Sequence, residues 1–412
     1  MSLELVLLCI YVALFFVVHK EFDLRSIHNP FVVFLFFSFL FLFVGGLYSN
    51  IYDGTPYEIF DDNANIIMVV VVGGMLSSFL AMLIISRLVG YRHYKISQMR
   101  IAPERSGYFF VSGFLVSLLG VFLGILYMSK VGVHFGEDAD FYRVENKRGN
   151  GKLVIAAINF MQVGAMLMLC NASGVLRKAV TIVIFFVVAI SLFFFGNRLP
   201  LLLFLISYFL VSSMLSGKEV PLRNYILIAV SAFVIFVLIG TLRKGLDDIL
   251  EVSLLRLPWR PYVNFYNLDY ILSYYSSNYL LGYGYIHDLL AATPLLDENF
   301  GQWLKGLLRM RFDGGSVTYT YLGEGYVNFG RLGFYVYGFI YPFIMYLVYL
   351  FFFNKSSVSS TEAGMYVLMS MSLNPSVSSG LLPCVLYNVF PQVLIIVVLV
   401  GGKRLVPLLR RS

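Results

Sequence analysis

Glu324 and Asn328 stand four residues apart in the run Asp313-Gly-Gly-Ser-Val-Thr-Tyr-Thr-Tyr-Leu-Gly-Glu-Gly-Tyr-Val-Asn-Phe-Gly-Arg-Leu-Gly333. On a helix that spacing puts both on one face. A carboxylate and an amide held together could orient a hydroxyl, and the carboxylate could accept its proton. The same pair would also suit a helix start, with the carboxylate near the positive end of the dipole. His287 is the second candidate base, because its unperturbed pKa lies near neutrality.

Four arginines sit where cations are unusual. Arg198 occupies the short turn Phe195-Gly-Asn-Arg-Leu-Pro200 between two apolar runs. A guanidinium at that boundary must snorkel to headgroups or find an anion. Its planar fork suits phosphate oxygens. Arg243 follows in Gly240-Thr-Leu-Arg-Lys-Gly245, and Arg256 and Arg260 flank Trp259. Those cations could cradle a diphosphate, or pair with Asp247, Asp248 and Glu251 in a solvated network. Arg143 lies in a segment that also holds Asp138-Ala-Asp140. Such a three-residue acidic pattern among five basic residues reads as a solvated charge cluster, so neither a metal site nor a cofactor is expected.

The elements that must position these residues are set by composition. The chain has 412 residues, 59% hydrophobic and only 13% charged. A soluble domain carries about 25% charged residues, so the soluble classes are excluded. Uninterrupted apolar segments fall at 3–18, 30–48, 65–86, 108–129, 153–171, 179–195, 199–215, 224–240, 334–353, 363–380 and 382–401. Lipid allows only helices or closed barrels, and barrel strands would alternate in polarity. The expected fold is an all-α integral membrane protein of about 11 transmembrane helices (roughly 10–12). Cys9, Cys170 and Cys384 all lie in apolar runs and read as small buried hydrophobes. The N-terminal segment lacks a basic lead and a cleavage site, so it reads as the first span.

The net charge of +7 does not call for nucleic acid. Alternating the spans with segment 87–107 inside places 16 Lys and Arg on the inner side, against six in the short outer loops. This is the positive-inside pattern. The chain then divides into helices 1–8 over 1–240, a long outer loop over 241–333, and 334–412 with the last helices and a basic inner tail. That loop holds 8 basic and 9 acidic residues and the tyrosine-rich run Tyr266-Asn-Leu-Asp-Tyr-Ile-Leu-Ser-Tyr-Tyr-Ser-Ser-Asn-Tyr-Leu-Leu-Gly-Tyr-Gly-Tyr285. A structureless loop of ~90 residues is improbable, so it should fold into short helices. Its tyrosines suit sugar faces, and an interfacial aromatic belt accounts for part of them.

Taken together, these features resemble the O-antigen polymerase (Wzy) family, the oligosaccharide repeat-unit polymerases. The likeness rests on the Gly-Asn-Arg turn at 196–198, the long late outer loop, and Glu-Gly-Tyr-Val-Asn-Phe-Gly-Arg-Leu-Gly at 324–333. It implies a GT-C-like bundle of the kind shared with O-antigen ligases, with the large loop in the periplasm of a bacterial inner membrane. It implies metal-independent glycosyl transfer, with undecaprenyl-diphosphate-linked oligosaccharide as both donor and acceptor. Catalytic roles would fall to Glu324, Arg198 and Arg243, and substrate contacts to Arg143, Arg260, Asn328 and His287. Membrane lipids and a chain-length regulator are the other partners it implies. The family's arginine-ten-residues-glycine pattern has no clean match at Arg143, Arg198, Arg243 or Arg260. The alternatives are an O-antigen ligase and a lipid-linked oligosaccharide flippase. A flippase calls for polar residues inside the spans.

Overall fold

The computed structural model describes residues 3–22, 37–38, 41–42, 45–46, 61–88, 100–132, 149–195, 198–216, 259–275, 279–293, 296, 298–310, 316–353 and 357–409. In chain order the helices are α1 (Leu3–Phe22), α2 (Asp61–Leu88), α3 (Gly107–Val131), α4 (Gly151–Asn171), α5 (Gly174–Phe194), α6 (Arg198–Ser216), α7 (Trp259–Tyr274), α8 (Tyr283–Ala292), α9 (Phe300–Leu307) and α10 (Thr320–Phe353). They continue with α11 (Ser360–Leu373), α12 (Ser376–Ser379), α13 (Leu381–Cys384), a π turn at Val385–Val389, and α14 (Phe390–Leu409). Two three-residue strands, β1 (Arg100–Ala102) and β2 (Ser357–Ser359), pair in parallel. Among the described residues the fold is therefore helical with one small ladder.

Five helical stretches among the described residues are long and apolar enough to cross a membrane: Gly107–Val131, Gly151–Asn171, Gly174–Phe194, Leu199–Ser216 and Leu381–Lys403. Their outer faces are aliphatic and aromatic. Leu115, Phe122 and Ile125 on α3, and Val183, Phe186 and Ile190 on α5, are all more than half exposed. Only lipid solvates such a surface cheaply. The chain is a helical, multi-pass membrane protein. The expected spans at 30–48 and 224–240 fall largely or wholly outside the described residues. The run 363–380 breaks where Asn374-Pro375 leads one to expect: α11 ends at Leu373, because proline ends the helical ladder. Cys9 is exposed, whereas Cys170 and Cys384 are buried as expected.

The chain divides into two compact units. One gathers 94–249, 355–372 and 385–412. Its centre is α4, which packs on α3 through small residues. A Cβ on Gly113 would lie 2.8 Å from the Gly164 carbonyl, and one on Gly120 would lie 2.6 Å from the Met161 nitrogen. Gly113, Ser117 and Gly120 recur at helical spacing, so the two backbones can approach closely, as membrane helices do. α4 also carries buried Asn159, Gln162 and Asn171. These amides act as clamps. Asn171 donates to Thr361 Oγ1 at 3.1 Å and accepts the Ser106 N–H at 3.1 Å. Gln162 donates to the Pro200 carbonyl at 3.2 Å. Asn159 donates to the Tyr387 carbonyl at 2.8 Å.

Residues expected on one side of the membrane meet at one end of this unit. β1 pairs with β2, the Glu104 N–H donates to Ser360 Oγ at 3.1 Å, and Lys403 pairs with Glu104 at 2.8 Å. Residues 100–104, 357–360 and Lys403 are thus neighbours.

The other unit gathers 1–93, 250–354 and 373–384. Here α2 lies against α10, and the Ser78 hydroxyl donates to the Phe339 carbonyl at 2.9 Å. Within the long loop the described residues do fold into short helices: α7, α8, α9 and the first part of α10. α10 is two helices joined at Gly330, whose φ of 67° and ψ of −150° break the turn. The carbonyls of Val327 and Asn328, whose i+4 donors lie beyond that break, accept from Leu280 and Leu281 at 3.1 and 2.8 Å. The kink therefore pins the approach to α8 onto α10.

Candidate functional site

The buried acidic centre of this unit starts from α10. The Thr320 hydroxyl accepts the Gly323 N–H at 3.2 Å, which closes the first turn. One turn further on, Glu324 and Asn328 share a face, as their spacing requires, and are 1% and 0% exposed. Asn328 is a clamp. Its Nδ2 donates to the Glu324 carbonyl at 2.9 Å, and its Oδ1 accepts the Gly284 N–H of α8 at 3.1 Å.

The Glu324 carboxyl meets the start of α13. Oε2 accepts the Leu381 N–H at 2.6 Å and Oε1 accepts the Leu382 N–H at 3.2 Å. Gly380 makes this possible. Its φ of 89° and ψ of 159° lie in a region open essentially to glycine alone. A Cβ there would stand 3.1 Å from Glu324 Oε2 and 2.5 Å from the Tyr319 ring.

A second carboxyl, Asp288 on α8, belongs to the same centre and is 1% exposed. Its Oδ1 accepts the Phe300 N–H at 3.2 Å, and its Oδ2 accepts the Tyr319 hydroxyl at 3.4 Å. The capping box of Asn299 and Gln302 starts α9 at Phe300 and so aims that N–H at Asp288. Asp288 went unnoticed in the sequence because it reads as one charge among many in a balanced loop. Only its neighbour His287 has an intrinsic pKa that draws attention.

Burial pushes the Glu324 carboxyl up to about 8. The Leu381 and Leu382 N–H groups oppose that shift, and nearby Asp288 adds to it. Burial likewise raises Asp288 to about 6, opposed by Phe300 N–H and Tyr319. Tyr319 is raised well above its ordinary value by burial and by both carboxylates. Near pH 7 Asp288 is mostly ionised and Glu324 mostly holds its proton. Two carboxyls whose environments separate their proton affinities can divide acid and base work between them.

His287 is buried, and its Nδ1 has no hydrogen-bond partner among the described residues. Burial lowers its pKa, against a smaller opposing effect of Glu298. Its ring lies 5.4 Å from that of Trp303. Glu324, Asn328 and His287 thus belong to one unit, the first two in contact. Arg260 is in the first turn of α7 and Arg198 is the first residue of α6, in the other unit; neither side chain is among the described residues. Arg143 and Arg243 lie outside the described residues. No family model, curated protein or solved structure matches the chain.

Proposed function

We propose that the chain is a glycosyltransferase that polymerises undecaprenyl-diphosphate-linked oligosaccharide repeat units into O-antigen or a related surface polysaccharide. The reaction runs on the periplasmic face of a bacterial inner membrane, within a GT-C-like bundle. One observation carries the reading. A pair of buried carboxyls with proton affinities on either side of neutrality sits among tyrosine-rich helices, beside the start of an apolar span.

In the proposed reaction a hydroxyl on the non-reducing sugar of the acceptor attacks the anomeric carbon of the donor. The bond to the diphosphate breaks, and undecaprenyl diphosphate leaves with its electron pair. The donor bond supplies the driving force, so no nucleotide is needed. Glu324, in its ionised form, takes the hydroxyl proton. Arg198 and Arg243, with Arg143 and Arg260, stabilise the departing charge. A well-placed donor of this kind contributes about 3 kcal/mol.

Purified protein in detergent with a single lipid-linked repeat tests the proposal. Chain growth without ATP, divalent metal or lipid A-core is the expected result. Absence of growth overturns it, and transfer that appears only with lipid A-core makes the protein a ligase. One observation favours a carrier as the second reading: Glu324 is buried beside the chain break at Gly380, and carriers build their sites at such interrupted helices. Movement of the lipid-linked repeat across vesicles without chain growth selects that reading.

A further inference from the structure

α8 presents three faces with different partners. Asp288 faces Phe300 and Tyr319. Ile286 and Leu289 are 53% and 51% exposed and form an aliphatic strip suited to lipid. The third face carries Tyr283 and His287, neighbours one turn apart, and it meets Trp303 of α9. The Tyr283 and Trp303 rings stand 6.0 Å apart at 58°, and His287 lies 6.5 Å from Tyr283. Tyr283 is 49% exposed, Trp303 is partly exposed, and His287 is buried beside them. The three rings make a wedge with an open edge.

Two further observations set this wedge apart from ordinary core packing. The buried His287 Nδ1 finds no hydrogen-bond partner among the described residues, and an unsatisfied buried polar atom is costly. The wedge is also connected to the carboxyl pair. Trp303 stacks on Phe300 at 5.7 Å, Phe300 meets Tyr319 edge-on at 5.1 Å, and Tyr319 donates to Asp288.

We infer that Tyr283, Trp303 and His287 form a subsite for one sugar ring of an oligosaccharide, adjacent to the Asp288–Glu324 pair. Aromatic faces take the C–H face of the sugar, and the imidazole takes one of its hydroxyls, the combination of apolar walls and few polar groups typical of small-ligand sites. An acyl chain would leave the imidazole nitrogen unpaired, and the exposed Ile286–Leu289 strip offers such a chain a better surface. The choice of a glycan as ligand rests on the glycosyltransferase reading, but binding can be measured apart from catalysis.

Trp303 is one of only two tryptophans, so Trp259→Phe makes it the sole indole reporter. The full chain in detergent is titrated with oligosaccharide freed by mild acid from the lipid-linked pool of the producing cell. Without its diphosphate this probe cannot polymerise. A saturable change in Trp303 emission is expected, lost in Tyr283→Ala and weakened several-fold in His287→Ala. Titration calorimetry on the unsubstituted protein should report the same affinity. A flat response in both measurements overturns the subsite, as does a response to undecaprenyl phosphate but not to oligosaccharide. Binding without chain growth from lipid-linked repeat sinks the polymerase and leaves the subsite standing. Chain growth with a silent Trp303 and no heat does the reverse.

Discussion

The Glu324 carboxyl receives two consecutive backbone N–H groups, from Leu381 at 2.6 Å and Leu382 at 3.2 Å. A buried acid held this way is anchored as rigidly as a capping residue, yet burial keeps its proton affinity near neutrality. Hydrogen bonds thus set its position, while desolvation dominates its protonation against the opposing effect of those same bonds. Substitutions can separate them.

The pH dependence follows from the direction of the shift. When folded, Glu324 holds its proton to about 8, against an ordinary value of 4.5. Between those values the folded state binds the proton that the unfolded state has released. Stability therefore falls as pH rises from about 4.5 to about 8, and levels off above. Thermal melts across that window should show the decline, and Glu324→Gln should flatten it above about pH 6, leaving below that the smaller decline due to Asp288. Chain growth should rise with pH through the same upper value if the ionised form is the base. Asp288→Asn removes a neighbouring negative charge and should move that limb to lower pH. An unmoved limb would mean that Asp288 does not act on Glu324.

Gly380→Ala tests the backbone that presents those N–H groups. The substitution forces a side chain into φ 89°, ψ 159° and places its Cβ against Tyr319 and 3.1 Å from Glu324 Oε2. Strain of that kind costs about 1–3 kcal/mol before the clash is counted. The melt should drop accordingly, and the pH limb assigned to Glu324 should shift because its two donors are displaced. A variant with wild-type stability and pH profile would refute the arrangement.

Much of this was legible in the sequence. Apolar runs mark α1–α6 to within a few residues, because continuous hydrophobicity and helix length are local properties. The spacing of Glu324 and Asn328 correctly put them on one face. Asp288 was not legible, since its burial depends on the Phe300 N–H twelve residues on and the Tyr319 hydroxyl thirty-one residues on. The break inside 363–380 was legible, because Asn374-Pro375 interrupts the apolar run and the helix does end at Leu373. The amides of α4 look like defects in a span until their distant partners are known.

Arg198→Ala addresses the proposed leaving-group role. Loss of one well-placed donor to developing charge typically costs a factor of 10²–10³ in turnover. Cells carrying the variant should accumulate lipopolysaccharide with a single repeat and lack the ladder of longer chains. Arg198→Lys keeps the charge but not the planar fork, and should recover activity only in part. A normal ladder from the alanine variant would remove Arg198 from the mechanism and leave it as an interfacial anchor.

The most local prediction concerns Asn159 and Pro391. Proline has no N–H, so Pro391 cannot satisfy the Tyr387 carbonyl four residues before it. The chain takes a π turn at Val385–Val389, and Asn159 Nδ2 donates to that carbonyl at 2.8 Å from a neighbouring helix. Asn159→Leu fills similar space but removes this hydrogen bond, which costs about 0.5–1.5 kcal/mol. Pro391→Ala restores a backbone donor. The double variant Asn159→Leu/Pro391→Ala should therefore be more stable than Asn159→Leu alone, a coupling that a double-mutant cycle measures directly. Strict additivity of the two changes would show that the amide serves some purpose other than repairing the break that proline makes.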